Sequence, residues 1–445
     1  MQTHALNPSA PGLACRDGTL AQRIQWARQA DPFGHRVHVC LATVALFMLP
    51  WSTWFATAAL ITVAAWALCR FWVLGPVWAL ALRHPVVLLL LGFLAWSALS
   101  LTWTLDLDEG SETLGAQRFL LLIPALVPLG SALRWPLLAL VGGVAVQAVA
   151  QVLLYVGAIE EAQRWPWRLN GGMSSHPGPT GAWSLTAMGI ALSPAAGATI
   201  WPRGIMLVFA FCSLLLSGSR SAVVAMVLFV VTVLASIRGG MARPIASTSC
   251  GLVIAFALII AFSSLDSARY VRKAITQIPA VLTGDTVFTS VGVRLALWEA
   301  GIDAGLESPW RGTGLGGRVP VIQSHAAVLR LEAHSKGKWQ YNEGDLHSGW
   351  VGSFTELGAP GLVLFGLPAI LSVWYAMRAA RGAASGWGPA LLAATTTWFA
   401  SGVFHVVFAS GQLMAQGMLA VTLVVLASRG GLVLASTNLD GAVKP

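Results

Sequence analysis

Long apolar runs separated by short polar joints dominate the chain. A helix crossing a bilayer needs about 20 mostly apolar residues, and by that measure the pattern predicts about twelve spans. They fall near residues 37–51, 53–69, 85–103, 118–133, 136–157, 180–197, 204–218, 221–237, 247–265, 349–377, 387–408 and 411–428. The fold class expected is therefore all-α: a polytopic transmembrane helix bundle with a long, partly helical loop on one side. Its parts are an N-terminal tail over 1–36, about nine spans over 37–265, the loop over 266–348, about three spans over 349–428 and a C-terminal tail over 429–445.

Basic residues orient this bundle. Cytoplasmic loops are enriched in Lys and Arg. With both termini in the cytoplasm, that side collects Arg16, Arg23, Arg28, Arg36, Arg70, Arg83, Arg134, Arg203, Arg238, Arg243, Arg378, Arg381, Arg429 and Lys444. The short loops opposite hold only Arg118, Arg164, Arg168 and Arg220, together with the acidic run Asp106, Asp108, Glu109 and Glu112. The long loop then lies outside. Within it, Arg294-Leu295-Ala296-Leu297-Trp298-Glu299-Ala300-Gly301-Ile302 places Leu295, Trp298 and Ile302 on one helical face. Pro309 and the glycines beyond it are expected to end that helix. Trp298 and Trp310 are candidate interfacial anchors.

Composition supports this reading and excludes others. Apolar residues make up 56% of the chain and charged residues 10%, too few to clothe a soluble domain, which typically carries about 25%. The formal charge is +9, but its basic residues are thinly spread between apolar runs, so topology explains it and no nucleic-acid partner is expected. The five cysteines form no C-x-x-C pair, which argues against a zinc site or a disulfide framework. Arg16 to Arg36 ahead of the first apolar run look like the flank of an uncleaved first span. No internal repeat is evident.

The informative residues are charges that topology leaves unexplained. Arg220 sits in Leu216-Ser217-Gly218-Ser219-Arg220-Ser221-Ala222, at the outer junction of two apolar runs. It either snorkels to the interface or forms an anion site, where a guanidinium grips phosphate as a fork. Arg168 heads Arg168-Leu169-Asn170-Gly171-Gly172, whose glycines allow close approach of a ligand; an ordinary loop arginine is the competing reading. Arg294 opens the loop helix, either as part of a solvated face or as a further cationic donor. His347, in Asn342-Glu343-Gly344-Asp345-Leu346-His347-Ser348, stands where the long loop returns to the apolar region and is a candidate proton acceptor near neutral pH. His176, His325, His334 and His405 have weaker contexts and read as structural. Asp106-Leu107-Asp108-Glu109 reads as an exposed acidic loop before a divalent-cation site. Gly312-Thr313-Gly314-Leu315-Gly316-Gly317 follows no strand, so a dinucleotide loop is excluded.

Taken in order, these segments resemble the O-antigen ligase family. The marks are Leu-x-x-Ser-Arg-Ser-Ala at a span junction, Arg-Leu-x-x-Trp followed by Pro and Gly-x-Gly, and a His after a long outer loop. The resemblance runs from about Arg164 to Gly361. It implies an enzyme that moves a polysaccharide from undecaprenyl diphosphate to a sugar of lipid A–core, without a cofactor or metal and with inversion. It also implies that Arg220 and Arg294, with Arg168 on a looser pattern, hold the diphosphate and that His347 is the base. The same resemblance leaves open an O-antigen polymerase or a protein O-oligosaccharyltransferase; the short tail after Arg429 argues against the latter. A lipid-linked sugar transporter is the alternative from another class, and transporters often show internal repeats and midplane sites. Oligomeric state is not legible in the sequence.

Overall fold

The computed structural model describes residues 18–159, 176–197, 199–236, 248, 250–251, 254, 289–335, 341, 346–405, 407 and 410–432. Every regular element among them is helical. In chain order they are α1 (Leu20–Ala30), α2 (Pro32–Met48), α3 (Thr53–Cys69), α4 (Phe71–Ala81), α5 (Pro85–Ser100), α6 (Leu107–Ala116), α7 (Leu122–Leu126), α8 (Arg134–Tyr155), α9 (Pro177–Leu192), α10 (Ile200–Ser217) and α11 (Arg220–Ser236). There follow α12 (Ser290–Glu307), α13 (Arg318–Gln323), α14 (Ala326–Ser335), α15 (Gly349–Ala380), α16 (Gly388–Phe404) and α17 (Gly411–Ser428).

Three described stretches are long and apolar enough to cross a membrane, namely Leu107–Tyr155, α15 and α17, or four if the sharply bent α3–α4 pair counts as one crossing. α5 and the Trp201–Ser217 and Ser221–Ser236 stretches of α10 and α11 are apolar as well but shorter. These apolar helices make the chain an integral membrane protein, although helix length alone does not carry a count of twelve crossings. The predicted span over 118–133 is not one helix: 3₁₀ turns flank α7, Pro124 and Pro128 interrupt the ladder, and Gly130 has φ 54°. The predicted span over 247–265 lies almost wholly outside the described residues.

α9, α10, α11 and α16 pack side by side. One end of this group is fixed where Ser193 Oγ accepts the Ala390 amide at 2.9 Å and Arg381 donates to the Ala235 carbonyl at 2.9 Å. Inside, Ser184 donates to Ser213 and Ser213 to Gln151, so α9, α10 and α8 share a buried polar chain. The pairing satisfies groups that would be costly to leave bare in an apolar interior. The opposite end holds the Arg220 and His347 segments.

α15 is bent back on itself. Gly358, with φ 65° and ψ −164°, divides it into a short arm from Gly349 to Leu357 and a long arm to Ala380. A Cβ on Gly349 would lie 2.9 Å from the Phe365 ring, and one on Gly366 would lie 2.5 Å from the Trp350 ring. The two arms therefore face each other across the turn, as in a helical hairpin. The long arm runs antiparallel to α5: the Tyr375 ring meets the His84 ring at a tilt, 4.9 Å between centroids, and the Trp96 indole donates to the Leu357 carbonyl at 2.9 Å. Gly358 is the apex, and Gly349 lies about 12 Å down the short arm at 1.5 Å per residue.

α12 lies along the short arm. Its close contacts run through Gly301, against Val351 and Thr355, and Gly305, against Phe354. The buried stripe of α12 is Leu297, Ala300 and Ala304. Leu295 and Ile302, predicted to share its apolar face with Trp298, are 40% and 43% exposed and join Leu306 and Trp310 on the outer side. The small residues face inward because two backbones must approach closely there.

Candidate active site

The Ser-Gly-Ser-Arg-Ser segment is a compact helix-to-helix joint. Gly218 ends α10 with φ 59°, the left-handed conformation that glycine adopts at little cost. Ser219 Oγ accepts the Ala222 amide at 3.4 Å and so caps α11. Arg220 is the first residue of α11. A helix N-terminus carries partial positive charge, so this joint adds a dipole to an arginine at the same point.

His347 occupies a second joint. It has φ 52°, the only positive φ of a non-glycine residue among the described residues. That region costs a non-glycine residue about 1–2 kcal/mol, so the surroundings must hold it. On one side the Trp298 indole donates to the Leu346 carbonyl at 2.9 Å. On the other, Ser348 caps α15 by accepting the Val351 amide at 3.3 Å. Arg294 lies one turn before Trp298 on α12 and is half-buried. The hydrogen bond from Trp298 thus ties the Arg294 helix to the residue preceding His347.

A third joint connects these two. His405, just beyond α16, has Nε2 3.0 Å from Ser221 Oγ, which is itself 3.0 Å from Ser219 Oγ. A Cβ on Gly178, in the first turn of α9, would lie 2.7 Å from the His405 ring, and one on Gly349 would lie 3.1 Å from the His405 carbonyl oxygen. His176, one residue before α9, receives Thr180 Oγ1 on its carbonyl at 3.0 Å. Arg168 lies outside the described residues. His405 read as structural from sequence, and nothing in its local pattern points elsewhere. Only the fold sets it beside the Arg220 and His347 joints.

Sequence reasoning also missed an ion pair above this end. Arg318 donates to Glu356 Oε1 at 2.6 Å and to Glu109 at 3.2 Å. The Gly316 amide donates to the same Glu356 oxygen at 2.8 Å. Glu356 is fully enclosed, and its Oε2 has no hydrogen-bond partner among the described residues. A carboxylate entering an apolar run was the available signal. Glu109 therefore serves an ion pair, and Asp106 caps α6 through the Glu109 amide at 3.0 Å. His325 bonds Asp303 at 3.2 Å and His334 the Arg330 carbonyl at 2.7 Å, both on exposed faces away from these joints.

The glycine-rich segment before Arg318 clamps the apex of α15. The Thr313 and Gly314 amides donate to the Thr355 and Glu356 carbonyls at 3.0 and 2.9 Å, and the Ala359 amide donates to Pro309 at 2.7 Å. Gly312, Gly314 and Gly316 all have positive φ, and side chains there would strike Glu356, Thr104 and Gly110. Carbonyls left open where the short arm ends are thereby satisfied.

The family model described as O-antigen ligase matches residues 205–366. That segment of the chain is similar to the O-antigen ligase domain. The match takes in the Arg220 joint, α12, the glycine clamp, His347 and Glu356, and it ends before His405. The matched domain supports an O-antigen ligase- or polymerase-type function in general, with lipid-linked glycans as the class of substrate and a membrane as the setting. No curated protein matches the chain.

Proposed function

We propose that this protein transfers O-antigen polysaccharide from undecaprenyl diphosphate to a sugar of lipid A–core on the periplasmic face of the inner membrane. An acceptor hydroxyl attacks the anomeric carbon, the bond from that carbon to the diphosphate oxygen breaks, and the configuration inverts. His347 takes the hydroxyl proton; a positioned base of this kind contributes about 10²–10⁴-fold. Arg220, Arg294 and Arg168 carry the charge that develops on the departing undecaprenyl diphosphate, so the step runs without a metal.

The observation that carries this reading is the Trp298–Leu346 hydrogen bond. It couples the arginine helix to a histidine held at φ 52°, and strained residues of this kind cluster at functional sites. The test is reconstitution with a labelled lipid-linked glycan and two acceptors, lipid A–core and a protein, with and without chelator. Label is expected on lipid A–core in both conditions. Label on the protein, or on a lengthened lipid-linked chain, would refute the ligase reading. Loss of transfer in chelator, restored by Mg²⁺, would refute the metal-free one.

A further inference from the structure

The His405 side chain stands where three segments meet. Its ring nitrogen bonds Ser221, the residue after Arg220, at 3.0 Å. Its ring fills the space left by Gly178 at the start of α9, and its carbonyl abuts Gly349, two residues after His347. Ser221 in turn reaches Ser219, the cap of α11. A side chain so placed sets the first turn of α11 relative to the His347 turn. No sequence pattern joins these segments, since His405 lies 184 residues from Ser221.

We infer that His405 is a positioning residue of the site: through Ser221 it orients the Arg220 end of α11 toward the diphosphate of the lipid donor, opposite His347. This rests on the donor reading proposed above. His405 exchanges no proton with substrate in this role. What it supplies is a hydrogen-bonding nitrogen at the Nε2 position and a ring filling the space at Gly178.

The role separates from simple packing by its rescue pattern. His405→Gln keeps a polar atom near the Nε2 position, whereas His405→Ala and the shorter His405→Asn do not. Undecaprenyl diphosphate binding to the purified full-length protein in nanodiscs is the first readout, and the pH profile of transfer is the second. His405→Ala and Ser221→Ala are each expected to weaken binding about tenfold, the scale of one well-placed hydrogen bond. The double variant should be no worse than either single one, because both remove the same link. His405→Gln should bind within about threefold of wild type and keep the wild-type pH profile, because the base is untouched.

If His405→Ala binds and transfers as wild type does, the inference is overturned while the donor reading stands. It is equally overturned if His405→Gln is as impaired as His405→Ala while Ser221→Ala is normal. Loss of one limb of the pH profile in His405→Gln would make His405 an acid or base and overturn the positioning role. Should the wild-type protein neither bind undecaprenyl diphosphate nor transfer from it, the donor reading itself falls. Ser221→Ala keeps the test decisive if His405→Ala fails to fold.

Discussion

Arg318 and Glu356 meet at 2.6 Å with almost no access to solvent, and the same carboxylate oxygen also accepts the Gly316 amide. The pair joins the glycine clamp to the short arm of α15 just below its apex. Removing one partner strands a charge in an enclosed site, which typically costs about 3–5 kcal/mol. Arg318→Met is expected to lower the unfolding midpoint of the purified protein sharply. The Arg318→Met/Glu356→Leu pair should recover much of that loss, because apolar pairs often replace buried ions without penalty. Denaturation of the single and double variants in one detergent checks this. A double variant less stable than both single ones would contradict it.

His347 offers a way to separate stability from function. Its φ of 52° suits glycine better than any residue with a Cβ. His347→Gly should be more stable than His347→Ala by about 1 kcal/mol, the usual cost of a left-handed non-glycine residue. Both should lose transfer while retaining undecaprenyl diphosphate binding. Equal midpoints would argue that the turn relaxes, and residual transfer near wild type would remove His347 from the mechanism.

The arginines call for a test of shape as well as charge. Arg294→Lys and Arg220→Lys preserve the charge but not the two-pronged geometry that matches a diphosphate. Each is expected to reduce kcat/KM for the lipid-linked donor by about tenfold or more, about 1.4 kcal/mol of transition-state stabilisation. Steady-state kinetics with donor varied at saturating acceptor measures it. A silent double Lys variant would rule out the grip.

At the opposite end of the chain Asp31 gives a pH-dependent contact. Its carboxylate accepts the Gly34 amide at 2.7 Å, capping α2, and pairs with Arg70 at 2.6 Å. Burial pushes the carboxyl up, but the Gly34 amide and Arg70 outweigh it and hold it below its ordinary value of 3.8. A carboxyl depressed by folding stabilises above its unfolded value, and that contribution fades as pH falls through the lower, folded one. The wild-type protein should therefore lose stability below about pH 4 more steeply than Asp31→Asn. Unfolding midpoints measured from pH 6 to pH 3 test this, and parallel curves would refute it.

How much of this was legible in the sequence follows from what each residue depends on. The all-helical class came from run length and composition, which are local. The Ser-Gly-Ser-Arg-Ser joint was legible because left-handed glycine and serine caps act within a few residues. The breaks within the 118–133 segment were not legible because its apolar content hid Pro124, Pro128 and Gly130. Periodicity put Leu295, Trp298 and Ile302 on one face of α12 but did not say which face turns inward, because close approach of two backbones selects Ala and Gly there. His405 and Arg318 were invisible because their partners lie 184 and 38 residues away, and nothing local marks either.

The glycine clamp has one more consequence. A membrane tolerates irregular backbone only where the protein itself satisfies the exposed amides and carbonyls. At the apex of α15 the carbonyls of Thr355, Glu356 and Leu357 are all taken, by two loop amides and the Trp96 indole. The turn therefore does not depend on water to exist. Lipid can press against this part of the fold without unravelling it, which suits the proposed donor, whose long hydrocarbon tail would stay in the bilayer.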